Sequence, residues 1–212
     1  MHIAEGVLSP AVLAGGAVLA LAGTALGLRK LEYDRLVAVG ILSAAFFVAS
    51  LIHVPVGLSS AHLVLNGLVG VLLGWAAFPS ILVALLLQTL LFQFGGITVL
   101  GVNVFTMGFA AVISWYVFRA ICYLCPGMKG VRVAAFMGGA LGVALAAVLT
   151  ALALAFTDEG FWLAARLLLL AHLPVMLVEG LVSMFTVSFI MRVRPELLGM
   201  APVRPGSGQE GA

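Results

Sequence analysis

The chain has 212 residues, of which 64% are hydrophobic and 8% charged, with a formal net charge of +2 and a mean hydropathy of +1.26. Soluble domains carry roughly 25% charged residues, so this composition excludes an ordinary soluble domain and reads as an all-α integral membrane protein. The charge is too small to point to nucleic acid, and in a bilayer the length suits six or seven helices of about 20 residues each.

The chain opens Met1-His2-Ile3-Ala4-Glu5-Gly6-Val7-Leu8-Ser9-Pro10, with no basic residue ahead of the first apolar run. A cleavable signal peptide is therefore not expected. A His at position two has a chemical use when the Met1 amine is free. That amine, the His2 backbone nitrogen and His2 Nδ1 can close five- and six-membered chelate rings and put three nitrogens in one plane. A fourth nitrogen would complete a square-planar site, the geometry that suits Ni(II) or Cu(II). The alternative is that His2 is an accident of the terminus.

The first apolar run, residues 8–28, is long enough to span a bilayer, with Ser9 as cap and Pro10 in the first turn, where a missing N–H costs nothing. Arg29, Lys30 and Arg35 follow it. The positive-inside rule puts them in the cytoplasm and the amino terminus outside. Residues 36–118 contain no Asp, Glu, Lys or Arg, and the next basic cluster, Arg119, Lys129 and Arg132, also belongs inside, so an even number of spans lies between. Four fit, near residues 36–53, 60–75, 78–94 and 100–121, separated by Pro55 with Gly57, by Pro79, and by Gly95-Gly96. The second of these is short and reads as tilted or partly re-entrant.

A sixth span near residues 131–156 ends outside at Asp158-Glu159. A seventh near 169–191 ends inside at Arg192 and Arg194, and only Arg166 breaks the charge rule. The expectation is seven transmembrane helices with the amino terminus outside and the carboxyl terminus cytoplasmic. Residues 1–200 would form a single transmembrane domain with a metal-binding loop over 1–10, and residues 201–212, rich in Gly and Pro, a flexible cytoplasmic tail. No G-x-x-x-x-G-K-[ST] occurs, so any ATP-driven function needs another subunit.

Within the uncharged block, His62 falls near the outer start of the third expected helix, on the same side as Met1 and His2, and can supply the fourth nitrogen. Its alternative is an interfacial His bonded at a helix end. Asn66, four positions on, would share its helix face and orient a ligand, or else make an interhelical hydrogen bond. His53 is the leading substitute for His62. Glu179 is the one acid deep in an expected span, and such residues are functional hypotheses by default. It could carry a proton, or accept a hydrogen bond from Asn103, a backbone group or His172, and the structural role is favoured. His172 and His53 are read as interfacial rather than as ligands. Cys122 and Cys125 form a C-x-x-C with no second pair to complete four zinc ligands, and no function is assigned to them.

Met1-His2-Ile3 with Glu5-Gly6 and Leu8-Ser9-Pro10 resembles the amino terminus of the CbiM/NikM family. These are the substrate-binding (S) components of energy-coupling-factor (ECF) transporters for cobalt and nickel. The likeness runs on, in order, through Pro55, Gly57, Ser60-Ala61-His62-Leu63, Asn66-Gly67-Leu68-Val69-Gly70, Gly95-Gly96-Ile97-Thr98, Gly101-Val102-Asn103-Val104-Phe105, Met107-Gly108, His172-Leu173-Pro174 and Glu179-Gly180. Ala4 departs from a Pro-containing version of the pattern and leaves the ligands intact. The resemblance implies that Met1 gives its amine, His2 its backbone and ring nitrogens and His62 its ring, with Asn66 and Asn103 as candidates to orient them. It implies an inner-membrane subunit that captures Ni(II), with Co(II) as the alternative, as transported substrate, and no organic cofactor. Implied partners are a transmembrane coupling subunit (EcfT/CbiQ/NikQ-like), ATPase subunits (CbiO/NikO-like) and a small accessory membrane subunit. The chain itself would then be no enzyme. Two rival readings are a proton-coupled secondary transporter using Glu179 and an intramembrane enzyme using Ser183 with His172.

Overall fold

The computed structural model describes residues 3–51, 53–56 and 59–198, with the backbone alone for 53–56, 59–62 and 159. Met1, His2 and the tail 201–212 lie outside the described residues. Pro10 opens α1 (Pro10–Arg29), as the sequence predicts, and Ser9 stands extended at the N-cap position but makes no side-chain capping hydrogen bond. After a 3₁₀ turn at Tyr33–Arg35, α2 (Leu36–Ala49) has only 14 residues, shorter than expected, because the chain leaves the helix at Ser50 for an extended ribbon.

That ribbon is the first correction. Residues 60–75 were expected to be one helix, but β1 (His53–Val56) and β2 (Ser59–His62) pair antiparallel, with His53 opposite His62 and Val56 opposite Ser59. Pro55 disfavours helical backbone at the residue before it, and the flanking valines suit a strand. Helix resumes only as α3 (Asn66–Leu73), eight residues long, behind Leu65 at φ 53°. A non-glycine residue in the left-handed region interrupts a helix, which is why the expected span is split.

A 3₁₀ turn at Gly74–Ala76 leads into α4 (Ala77–Phe92). The chain reverses there. Gly70 faces Ala111 and Gly74 faces the Trp115 ring, so α3 runs alongside α5 (Leu100–Leu124) in the same direction. α4 runs back the other way beside α2, with Ser43 bonded to Ser80 and Ser50 to Gln88. Gly74, at φ 58° and ψ −125°, takes a backbone conformation that a side chain would resist. α6 (Met128–Ala155) and α7 (Trp162–Val193) complete the bundle. α7 begins earlier than the expected 169, since Arg166 lies on an exposed face of the helix rather than in a loop.

Apart from the ribbon and the 3₁₀ turns, the described elements are helices. Among the described residues, five stretches are long and apolar enough to cross a membrane: α1, Asn66–Phe92, α5, α6 and α7. Asn66–Phe92 is one stretch by composition and two antiparallel helices by geometry.

Basic residues gather at one end. Lys30 Nζ lies 4.7 Å from the Trp75 ring and the Arg119 guanidinium 5.0 Å from that of Trp115, while Trp75 Nε1 donates to the Tyr116 hydroxyl at 3.1 Å. Arg132 and Arg192 line one cleft, and Arg35 lines a groove with Ile190 and Glu196.

The helices approach closely through glycines. A Cβ on Gly70 would lie 2.0 Å from the Ala111 carbonyl oxygen, whereas one on Gly15 would meet nothing within 4 Å. Gly70→Ala is therefore expected to cost about 1–3 kcal/mol, read as a lowered melting temperature in detergent. Gly15→Ala should leave the melting temperature level or slightly raised, because Ala is the better helix former.

Candidate functional site

The segment before α1 does not trail over the surface. Ile3 is fully buried, and its backbone is held from both sides by one amide. Ile3 N–H donates to Asn103 Oδ1 at 3.1 Å, and Asn103 Nδ2 donates to the Ile3 carbonyl at 3.4 Å. Two residues on, Glu5 N–H donates to the Gly95 carbonyl at 2.9 Å, and the Glu5 carboxylate accepts from Thr98 N–H at 3.3 Å. A Cβ on Gly96 would collide with the Glu5 side chain. Gly6, at φ 80°, turns the chain toward α1, and Ser9 N–H finds Thr157 Oγ1 at 3.3 Å. Ile3 and Leu8 pack with Val99, Val102 and Leu154. Ile3, the first described residue, thus enters between α5 and α6.

The second piece is the corner after the ribbon. His62 is described in its backbone alone, as the last residue of β2 across from His53, so the side chains of both lie outside the description. Because His62 sits in a strand, Asn66 does not share a helix face with it. Asn66 is fully buried, and its Nδ2 donates to the Gly142 carbonyl at 2.9 Å while its Oδ1 accepts from Gly67 N–H at 2.9 Å. Its amide ties α3 to α6, the interhelical alternative weighed from sequence.

Glu179 is fully buried. Its carboxylate accepts from the backbone N–H groups of Val64 and Leu65, the latter at 2.8 Å to Oε1 and 3.0 Å to Oε2. Of the partners weighed from sequence, a backbone group is the one found, rather than Asn103 or His172. Carboxylates at a helix N-terminus are favoured by the exposed N–H groups and the helix dipole, and Glu179 supplies to α3 what Leu65 as N-cap cannot.

His172 requires a correction. The sequence places it at the interface, but α7 starts at Trp162, seven residues earlier than expected, and carries it into the core, fully buried. Its Nδ1 bonds the Leu168 carbonyl oxygen at 2.7 Å, and Nε2 has no partner among the described residues. Ser183 is eleven positions along the same helix, about 16 Å at 1.5 Å per residue, too far for a nucleophile and its base. Cys122 is half-buried, Cys125 is exposed, and both are free thiols. Among the described residues no three of His, Cys, Asp and Glu cluster as a metal site would require.

Comparison with known proteins bears on the whole chain. Residues 2–197 match the CbiM family, described as the cobalt uptake substrate-specific transmembrane region. A protein of Haemophilus influenzae named for metal transport is 43% identical over 199 residues, covering 93% of this chain and 97% of its own length. The cobalt transport protein CbiM of Kyrpidia tusciae is 35% identical over 229 residues, covering 100% and 92%. A crystal structure of a transition metal transporter superposes with a TM-score of 0.79 at 28% identity, covering 91% of this chain and 93% of that one.

Asn103→Ala removes both ties to Ile3 and leaves its buried N–H without an acceptor. The expected cost is about 1–3 kcal/mol, concentrated at the terminus. Hydrogen exchange should show faster exchange at Ile3 and Glu5 with the α6 and α7 amides unchanged.

Proposed function

The chain belongs to the CbiM family, a family of cobalt and nickel transport, and on that premise we propose that it is the substrate-binding subunit of an ECF-type ABC transporter that captures Ni(II), with Co(II) as the alternative cargo. The metal is held by the Met1 amine, the His2 backbone nitrogen and Nδ1, and the His62 ring. One observation carries this reading. The chain is drawn into the bundle at Ile3, with both backbone groups of that residue held by Asn103, as a terminus used as ligand would have to be.

Three adjacent nitrogens from the terminus leave one in-plane position, and an imidazole from another segment fills it. A four-nitrogen plane suits Ni(II), and the preference for nickel rests on that geometry. Deprotonating the His2 amide makes binding release protons, so affinity falls as pH falls.

The proposed topology is seven crossings, with the amino terminus outside and the carboxyl terminus in the cytoplasm of the inner membrane. The reversal at Gly74 supports it, because ribbon plus α3 make one crossing and α4 the next. The gathering of Lys30, Arg35, Arg119, Arg132 and Arg192 at one end supports the orientation. ATP-driven uptake would require a transmembrane coupling subunit and ATPase subunits, since the sequence carries no phosphate-binding loop. The rival proton-coupled mechanism loses support because both Glu179 oxygens are engaged by backbone N–H groups.

His62→Ala removes one ligand at the end of a strand and should abolish tight nickel binding while the metal-free melting temperature holds. His53→Ala should be mild, and the reverse order, measured by competition with a chelating dye, would make His53 the ligand.

Inserting one Ala between Met1 and His2 should abolish tight binding and uptake although every side chain survives. With His at position three, the amine, two backbone nitrogens and the ring fill all four positions, so His62 is displaced. Uptake by the insertion variant at the parent's rate would show that the terminus is not the site.

A further inference from the structure

Two residues past His62 the backbone leaves the ribbon and turns into α3, and it makes that turn against a side chain from far along the sequence. The N–H groups of Val64 and Leu65 both converge on the Glu179 carboxylate. Glu179 sits 17 residues into α7, beside Gly139 of α6, where a Cβ would lie 2.5 Å from the Glu179 carbonyl oxygen. The acid is thus set by tight helix packing on one side and by two backbone donors on the other.

Among the described residues the Glu179 carboxylate is the acceptor that both donors share. Leu65 at φ 53° breaks the backbone between ribbon and helix, so Val64 N–H and Leu65 N–H fall outside both ladders. Buried N–H groups must be satisfied, and without the carboxylate the backbone has to move to find acceptors. His62 moves with it, because it lies two residues before Val64 and, among the described residues, pairs with β1 alone.

We propose that Glu179 is a positioning residue for the transported metal: its carboxylate fixes the backbone just past His62 and so sets where His62 stands to complete the site. This rests on the reading of His62 as the fourth ligand. It gives the acid within the uncharged core a task in ligand placement, and it involves α7 in metal capture although α7 supplies no ligand.

The test uses the full-length protein in detergent with nickel alone as the probe. Affinity is read by chelator competition and ligation by the absorption band of bound nickel. Glu179→Gln keeps the volume but turns one acceptor oxygen into a donor facing an N–H. It should weaken nickel binding about 10–100-fold, the usual effect of losing a group that orients a ligand, and move the band toward that of His62→Ala. In the His62→Ala background the same change should alter affinity by no more than about twofold, because it acts through His62. An equal loss in both backgrounds overturns the proposal, as does a Glu179→Gln protein with lowered metal-free stability but the parent's affinity and band. If Glu179→Gln does not fold, Glu179→Asp carries the test, since it keeps the charge and shortens the reach: a shifted band supports the proposal and a parental band overturns it. If His62→Ala binds nickel like the parent, the four-nitrogen reading itself has failed, which is a separate result.

Discussion

Irregular backbone inside a helix bundle has no water to turn to, and its N–H and C=O groups must be satisfied by protein. Three such segments are buried in part: the stretch ahead of α1 at Ile3 and Leu8, the turn between ribbon and α3 at Val64, and the loop between α4 and α5 at Gly96 and Val99. Each is held by polar atoms aimed at backbone. Asn103 takes both groups of Ile3, Thr157 takes Ser9 N–H, Glu179 takes Val64 and Leu65, and Thr89 Oγ1 donates to the Phe94 carbonyl at 3.1 Å. The first and third segments also hold each other, through Glu5 with Gly95 and Thr98.

The polar residues of the uncharged block read differently in this light. Asn66, Gln88 and Asn103 are exposed by 2% or less, and each is engaged by backbone or by another buried side chain. Charge is absent because desolvating it would cost far more than a neutral amide. The exception is Glu179, outside that block, whose carboxylate is matched by two N–H groups and a helix N-terminus instead of a cation.

Long apolar runs made α1, α5 and α6 legible to within a few residues. The stretch from α2 to α4 was not. Pro55 and Gly57 read as an ordinary interhelical turn and residues 60–75 as a helix, because an apolar run does not by itself distinguish strand from helix. The corner that follows the ribbon is held by Glu179, 115 positions from Val64, and a single sequence does not display that pairing. Arg166 misled in the opposite sense, since one charge on an exposed face of α7 looked like a loop. Asn103 and Glu179 stood out as polar residues in apolar surroundings, and the partner of Glu179 was among the alternatives weighed. His172 was misplaced because its depth followed from where α7 was thought to begin.

The two anchors stand on different helices. Asn103 belongs to α5 and Glu179 to α7, and both helices pack along α6, through Ser114 and Phe118 against Gly138 and through Glu179 and Ser183 against Gly139. On the proposed site, a metal that joins the terminus to His62 also joins the segment tied to α5 to the segment tied to α7. Capture then closes a ring that runs from α5 through the terminus, the metal, the ribbon and the α3 corner to α7, and back through α6. On that proposed site, removing either anchor would leave every ligand in the chain and still open the ring, so affinity would depend on two residues that never touch the cargo.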